Sequence, residues 1–139
     1  MPIQIERSYR FSAAHRYVRP DWSDDENRAR FGKCWIAPGH GHNYRLTVTV
    51  VGEIDAPTGF VVDLGVLDAI VRERVLERVD HQHLNHAIAE FAPGGQIPTS
   101  ENLALWIRDR VSSALPAGVR LAMVRVAEDD DLAAIWMGE

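Results

Sequence analysis

Two stretches of alternation constrain this chain more than any other feature of it. Ile3, Ile5, Tyr9 and Phe11 share one parity, interrupted by Arg7, while Gln4, Glu6, Ser8 and Arg10 share the other. Tyr44, Leu46, Val48 and Val50 alternate in the same way with Arg45, Thr47 and Thr49. A period of two sends successive side chains to opposite faces, so each stretch reads as a strand with one apolar and one wet face. Strands of this kind need cover on one face only.

Two helical patterns can supply that cover. Asp63 is a candidate N-cap, and Leu67, Ile70, Val71 and Val75 then recur at helical spacing to about Val79. Thr99-Ser100-Glu101 opens a second helix with hydroxyl caps and an acid near the positive end of its dipole. Its apolar stripe is Leu103, Ile107, Val111 and Leu115, and Pro116 with Gly118 ends it. Further strands are predicted near 119–128 and 132–137. The order strand, strand, helix, helix, strand, strand predicts one α+β domain over residues 1–139, an antiparallel four-stranded sheet with two helices on one face. Such a sheet has exposed edges, which favours association into a homo-oligomer.

Residues 12–41 break the pattern. Pro20, Pro38, Gly32, Gly39, Gly41 and the charged run Asp24-Asp25-Glu26-Asn27 read as a long loop, and loops of that length inside compact domains tend to be functional. Charge narrows the function. A formal net charge of −5 argues against a general nucleic-acid binder, which carries a basic face. No apolar run approaches the roughly 20 residues of a membrane span, and the first residues lack the basic-then-apolar order of a signal peptide. A cytoplasmic protein with a small-molecule partner is expected.

The candidate chemistry lies at the loop's borders. In His40-Gly41-His42 the i, i+2 spacing at a strand entrance turns both imidazoles to one side. His15 follows the first strand with the parity of Phe11. If the two strands pair, three imidazoles converge, and three His ligands with an open fourth position are the pattern of a catalytic zinc site. The flanking glycines would keep bulk away from that open position. The bland alternative is three separate surface or hydrogen-bonded histidines. Cys34, the single cysteine, lies six residues before His40. Asp80-His81 closes the first helix with an acid and an imidazole, the pairing that can lower a thiol's pKa. His83 and His86 receive no role. Glu128, at the end of Val124-Arg125-Val126-Ala127, offers two parallel acceptors that suit a flat amidine-like heterocycle.

Taken together, Phe11-Ser12-Ala13-Ala14-His15-Arg16, Phe31-Gly32-Lys33-Cys34, Gly39-His40-Gly41-His42-Asn43-Tyr44, Gly52-Glu53-Ile54-Asp55, Asp80-His81 with Leu84-Asn85, Pro98-Thr99-Ser100-Glu101-Asn102 and the closing Gly138-Glu139 resemble the 6-pyruvoyltetrahydropterin synthase family over essentially the whole chain. The resemblance implies a T-fold ββααββ unit whose subunits associate into a barrel, as trimers that stack into hexamers with active sites between subunits. It implies zinc on His15, His40 and His42, and Cys34 as general base supported by Asp80 and His81. It implies Glu128 as the pterin anchor, with Thr99, Ser100 and Glu101 near the substrate. The implied reaction is a lyase reaction on 7,8-dihydroneopterin triphosphate, eliminating triphosphate to give 6-pyruvoyltetrahydropterin on the tetrahydrobiopterin route.

One family branch instead makes 6-carboxytetrahydropterin for queuosine, releasing acetaldehyde and triphosphate. The five residues between Cys34 and His40, and Asn43-Tyr44 after them, resemble the pyruvoyl branch. Two other readings compete: side-chain cleavage of an aldolase type, and a zinc- or pterin-binding paralogue without turnover. Arg16, Arg30 and Lys33 are triphosphate-anchor candidates as cations of the loop. Trp35-Ile36-Ala37 departs from the small polar residues common in relatives.

Overall fold

A computed structural model describes residues 1–138; Glu139, half of the closing Gly138-Glu139 pair, lies outside the described residues. The chain runs β1 (Ile3–His15), α1 (Asp24–Phe31), a 3-10 turn (Gly32–Trp35), β2 (His40–Gly52), α2 (Leu64–Val71), β3 (Gln82–His83), α3 (Ser100–Ser112), β4 (Arg120–Ala127) and β5 (Ala133–Met137). Between β3 and α3 lie only a helical turn (Leu84–Ala87) and a 3-10 turn (Ala89–Phe91).

The strands form one sheet in the order β3-β1-β2-β4-β5. This corrects the expected fold class in two respects. The sheet has five strands and is mixed, because Gln82 and His83 pair in parallel with Ala13 and Ala14 of β1. It is also open: β3 and β5 stand at opposite edges, so the chain itself forms no barrel. A two-residue strand carries no periodicity, which is why alternation could not announce it. The loop expected over 12–41 is corrected as well, since β1 runs on to His15, β2 begins at His40, and α1 stands between them.

Register and parity place the core. β1 and β2 are antiparallel with Phe11 opposite Tyr44 and Tyr9 opposite Leu46, and Val48 of β2 faces Val124 of β4. Phe11, Tyr44, Leu46, Val48, Val50, Val124 and Val126 therefore share one buried face. Leu67, Val71, Val75 and Val79 pack on it from one side, and Leu103, Ala104, Ile107 and Val111 join the same cluster. A repeat of four drifts by about 40° per step on an ideal α-helix. The chain absorbs that drift in a wider π-turn (Arg72–Leu76) before a last helical turn (Glu77–Val79).

Asp63 caps α2, accepting from the backbone N–H of Gly65 at 2.7 Å and of Val66 at 3.3 Å. Thr99 caps α3 through the N–H of Asn102 at 3.1 Å. A cap is worth about 1 kcal/mol, whereas each fully buried Leu, Ile or Val contributes about 1.5–3 kcal/mol. Packing of Leu103, Ile107 and Val111, all fully buried, thus decides that α3 forms, and Thr99 decides where it starts.

Candidate active site

The same parity that buries the core builds the site at its end. Along β2 the inward row runs Val50, Val48, Leu46, Tyr44 and then turns polar at His42 and His40. On β1 it runs Phe11, Ala13 and His15, with His15 paired opposite His40 and Ala13 opposite His42. The three imidazoles meet there: ring centroids are 5.1 Å apart for His15 and His40, 4.9 Å for His15 and His42, and 5.0 Å for His40 and His42.

His15 is 0% exposed. Burial pushes its pKa down to about 4, and the neighbouring His42, His40 and His83 push the same way. It is therefore a neutral imidazole with a lone pair to offer. Its Nδ1 lies 3.0 Å from the Tyr44 hydroxyl, while its Nε2 is buried with no hydrogen-bond partner. His42 Nε2 has none either, although Glu128 Oε2 lies 3.2 Å away. Buried polar atoms are rarely left unsatisfied, and imidazole nitrogens with free lone pairs fit a divalent cation. His15 belongs to two compact donor groups, one with Cys34 and His40 and one with His42 and Glu128, in each of which the donor atoms lie within 4.8 Å of one another.

The glycines have a backbone role that spacing did not announce. A Cβ on Gly39, whose φ is +109°, would stand 2.2 Å from the carbonyl oxygen of His15, and one on Gly41 would stand 3.3 Å from that of Ala13. Both let β2 begin hard against the β1 backbone, and that approach brings the histidines together.

Cys34 sits in the 3-10 turn, which the N–H of Tyr17 ties down by donating to the Cys34 carbonyl at 2.8 Å. Its Sγ is 3.8 Å from His40 Nε2. Burial pushes this thiol's pKa up, and the Glu128 carboxylate adds to the effect. The expected lowering by an acid–imidazole pair is not delivered within the chain. Asp80 and His81 do form that pair, Asp80 Oδ1 lying 3.0 Å from His81 Nδ1. However, Asp80 Oδ1 accepts from the N–H of Ser12 and the N–H of His81 donates to the Ser12 carbonyl. The pair lines a cleft of about 550 Å³ with Arg10, Ser12, Asn43, Arg45 and Arg125, residues whose parity assigns them to the face opposite the histidines.

Glu128 continues the β4 row past Val126 and is nearly buried. Its Oε1 accepts a hydrogen bond from the Ser100 hydroxyl at 2.9 Å. Of the Thr99-Ser100-Glu101 segment, Ser100 bonds directly into the cluster, whereas Thr99 caps the helix and the exposed Glu101 acts on Tyr17 through its charge.

The sequence pattern of 6-pyruvoyl tetrahydropterin synthases matches residues 4–139. The chain belongs to that family. It is 41% identical over 136 residues to human 6-pyruvoyl tetrahydrobiopterin synthase, covering 98% of this chain and 92% of that one. It is 36% identical over 121 residues to a dihydroneopterin monophosphate aldolase of Pyrococcus furiosus, covering 87% and 85%. The structure of Caenorhabditis elegans 6-pyruvoyl tetrahydropterin synthase superposes with a TM-score of 0.90 at 35% identity, covering 100% of this chain and 97% of that one.

Three supporting residues escaped the reading of site chemistry. Asn85 accepts from the N–H of Arg16 at 2.8 Å and donates to its carbonyl at 2.9 Å, clamping the backbone just after His15. His83 donates from Nε2 to the Pro38 carbonyl at 2.8 Å, fixing the approach to His40. Tyr44 was legible only as a core residue of a strand. Among the loop cations, Arg30 pairs with Glu26 at 3.4 Å, and Arg16 donates to the Trp35 carbonyl at 2.6 Å with its guanidinium over the indole. Arg28 covers the same ring, so Trp35 anchors cations beside Cys34. Among the described residues, no helix is long and apolar enough to cross a membrane.

Proposed function

We propose that this chain is a zinc-dependent lyase that converts 7,8-dihydroneopterin triphosphate to 6-pyruvoyltetrahydropterin with loss of triphosphate. The observation that carries this reading is the convergence of His15, His40 and His42 beside Cys34 and Glu128, in a chain so close to proteins of that name. His15, His40 and His42 would hold the zinc. When bound, zinc supplies Lewis acidity toward the oxygens of the substrate's side chain.

The remaining work falls to the protein. Glu128 binds the amidine-like edge of the pterin, and Ser100 fixes the carboxylate by holding Oε1. Cys34 moves protons at the side-chain carbons, for which it must become a thiolate. Asp80 and His81 lie on the other face of their own sheet, so the pair that tunes Cys34 comes from a second copy in a homo-oligomer, a trimer or a hexamer built as a dimer of trimers, with sites between subunits. Arg16, held against Trp35, is a loop cation that would receive the triphosphate, alongside Arg30 and Lys33.

Incubation with 7,8-dihydroneopterin triphosphate and mass analysis of the products tests the reading. Triphosphate release with the pyruvoyl pterin supports it; acetaldehyde with a carboxylated pterin would refute this branch. The likeness to the Pyrococcus furiosus aldolase favours a second reading, side-chain cleavage, which a hydroxymethyl pterin together with a two-carbon aldehyde still carrying the phosphates would establish.

A further inference from the structure

We infer that Tyr44 is the positioning residue that fixes the tautomer of His15 and thereby presents His15 Nε2 to the metal. The inference rests on the metal reading proposed above. Tyr44 and His15 are both essentially inaccessible to solvent. The Tyr44 ring lies parallel on that of Phe11, its direct partner across the β1–β2 ladder, with centroids 4.8 Å apart and planes within 8°. A ring stacked so closely in a packed core holds its hydroxyl at one place. That place is 3.0 Å from His15 Nδ1.

A neutral imidazole carries one proton, and its two nitrogens cannot both be donors. With the proton on Nε2, a buried N–H would have no acceptor, since Nε2 has no protein partner, and its lone pair would be unavailable to a metal. With the proton on Nδ1, His15 donates to the Tyr44 oxygen and Nε2 keeps its lone pair toward His40 and His42. Only the second arrangement leaves both nitrogens occupied once a metal is bound. A second partner that fixes the ring in this way is the usual support of a metal-binding histidine. Among the described residues, Tyr44 carries the only hydroxyl bonded to any of the three imidazoles. Being uncharged, it orients His15 without adding negative charge beside the metal, as a carboxylate partner would.

Tyr44→Phe removes the hydroxyl and keeps the stacked ring. Zinc affinity of the whole chain, measured by competition with a chelator, is expected to fall by about 10–100-fold. Tyr17 provides the control, because its ring also packs on His15, with centroids 4.7 Å apart, but its hydroxyl makes no hydrogen bond to it. Tyr17→Phe is expected to leave zinc affinity unchanged. Nitrogen NMR of the zinc-loaded wild type is expected to place the His15 proton on Nδ1 and the metal on Nε2. Equal affinity of wild type and Tyr44→Phe overturns the inference while leaving the metal site standing, as does a His15 bound through Nδ1. A Tyr44→Phe chain whose metal-free thermal midpoint falls as far as its zinc-loaded one marks a packing role and overturns it too. A wild type that takes up no zinc removes the metal reading and this inference together.

Discussion

Cys34 stands where two roles meet, because its sulfur lies within reach of His40 and also shares a donor group with His15 and His40. If it is the base and the three histidines hold the zinc, Cys34→Ala keeps about one zinc per chain and loses about 10²–10⁴-fold in turnover. Metal analysis and steady-state rates on one preparation separate the roles, and loss of zinc in the variant would make Cys34 a ligand. At this scale the sequence was legible wherever spacing carries geometry. His40-Gly41-His42 and the parity of His15 were enough to foresee the cluster. The tie of Ser100 to Glu128 was only partly legible: likeness to a family put the whole Thr99–Glu101 segment near the substrate, but which of its three side chains turns inward depends on the helix's rotation against the sheet. The hydroxyl of Tyr44 was invisible for a related reason. A tyrosine in an alternating strand is already explained by burial.

A joint between two elements can be reinforced by a single side chain. The joint between α2 and β1 shows this, since Asp68 accepts from the Tyr9 hydroxyl at 2.7 Å and from Arg7 Nε and Nη2 at 3.0 and 2.9 Å. The Arg7 guanidinium and then the Tyr9 hydroxyl hold the Asp68 carboxyl below its usual range. Charged hydrogen bonds are worth about 1.5–3 kcal/mol, but the carboxylate is partly exposed and screening reduces that. Asp68→Asn should therefore cost about 1 kcal/mol, or about 4 °C in thermal midpoint. The sign with pH follows from the depressed value in the folded state. The stabilisation is complete above the unfolded carboxyl's pKa of about 4 and is lost as pH falls below it, so wild type and variant should converge in acid. Melting both proteins across pH 3 to 7, about the span that brackets this carboxyl, would expose a gap that fails to close. Helices with an apolar stripe and a cap were legible at this scale, whereas α1 was not. Its first turn is Asp24, Asp25 and Glu26 behind a Ser23 cap, and its one buried residue is Asn27, which donates to the carbonyls of Arg19, Trp22 and Ser23. A helix that packs through an amide has no hydrophobic period to read.

At the scale of the whole molecule, two parts of the proposed chemistry stand apart. An acid–imidazole pair sits on one face of the sheet and the thiol it would tune sits on the other. Both edges of the open sheet are available, and β5 carries Ile135 and Met137 largely exposed. Exposed apolar edge strands are usually covered, and association would cover them while bringing one chain's Asp80–His81 to another's Cys34. Mixing two inactive variants tests this directly. Cys34→Ala keeps a working acid–imidazole pair, and His81→Ala keeps a working thiol. Co-expressed at equal levels in a closed ring, each site draws its two halves independently, so about a quarter of the sites are intact. Turnover should recover to about that fraction of wild type in the isolated mixed oligomer, although neither parent is active. Sites complete within one chain would stay dead in every mixture, because each chain would still lack one half, and sedimentation of the same samples shows whether trimers or hexamers formed. Sequence alone could foresee unsatisfied edges and a thiol in need of a partner. Likeness to the family put the sites between subunits, but which groups stand apart within one chain was not legible, because the separation of Asp80–His81 from Cys34 arises only when β3 pairs with β1 and commits the pair to the far face.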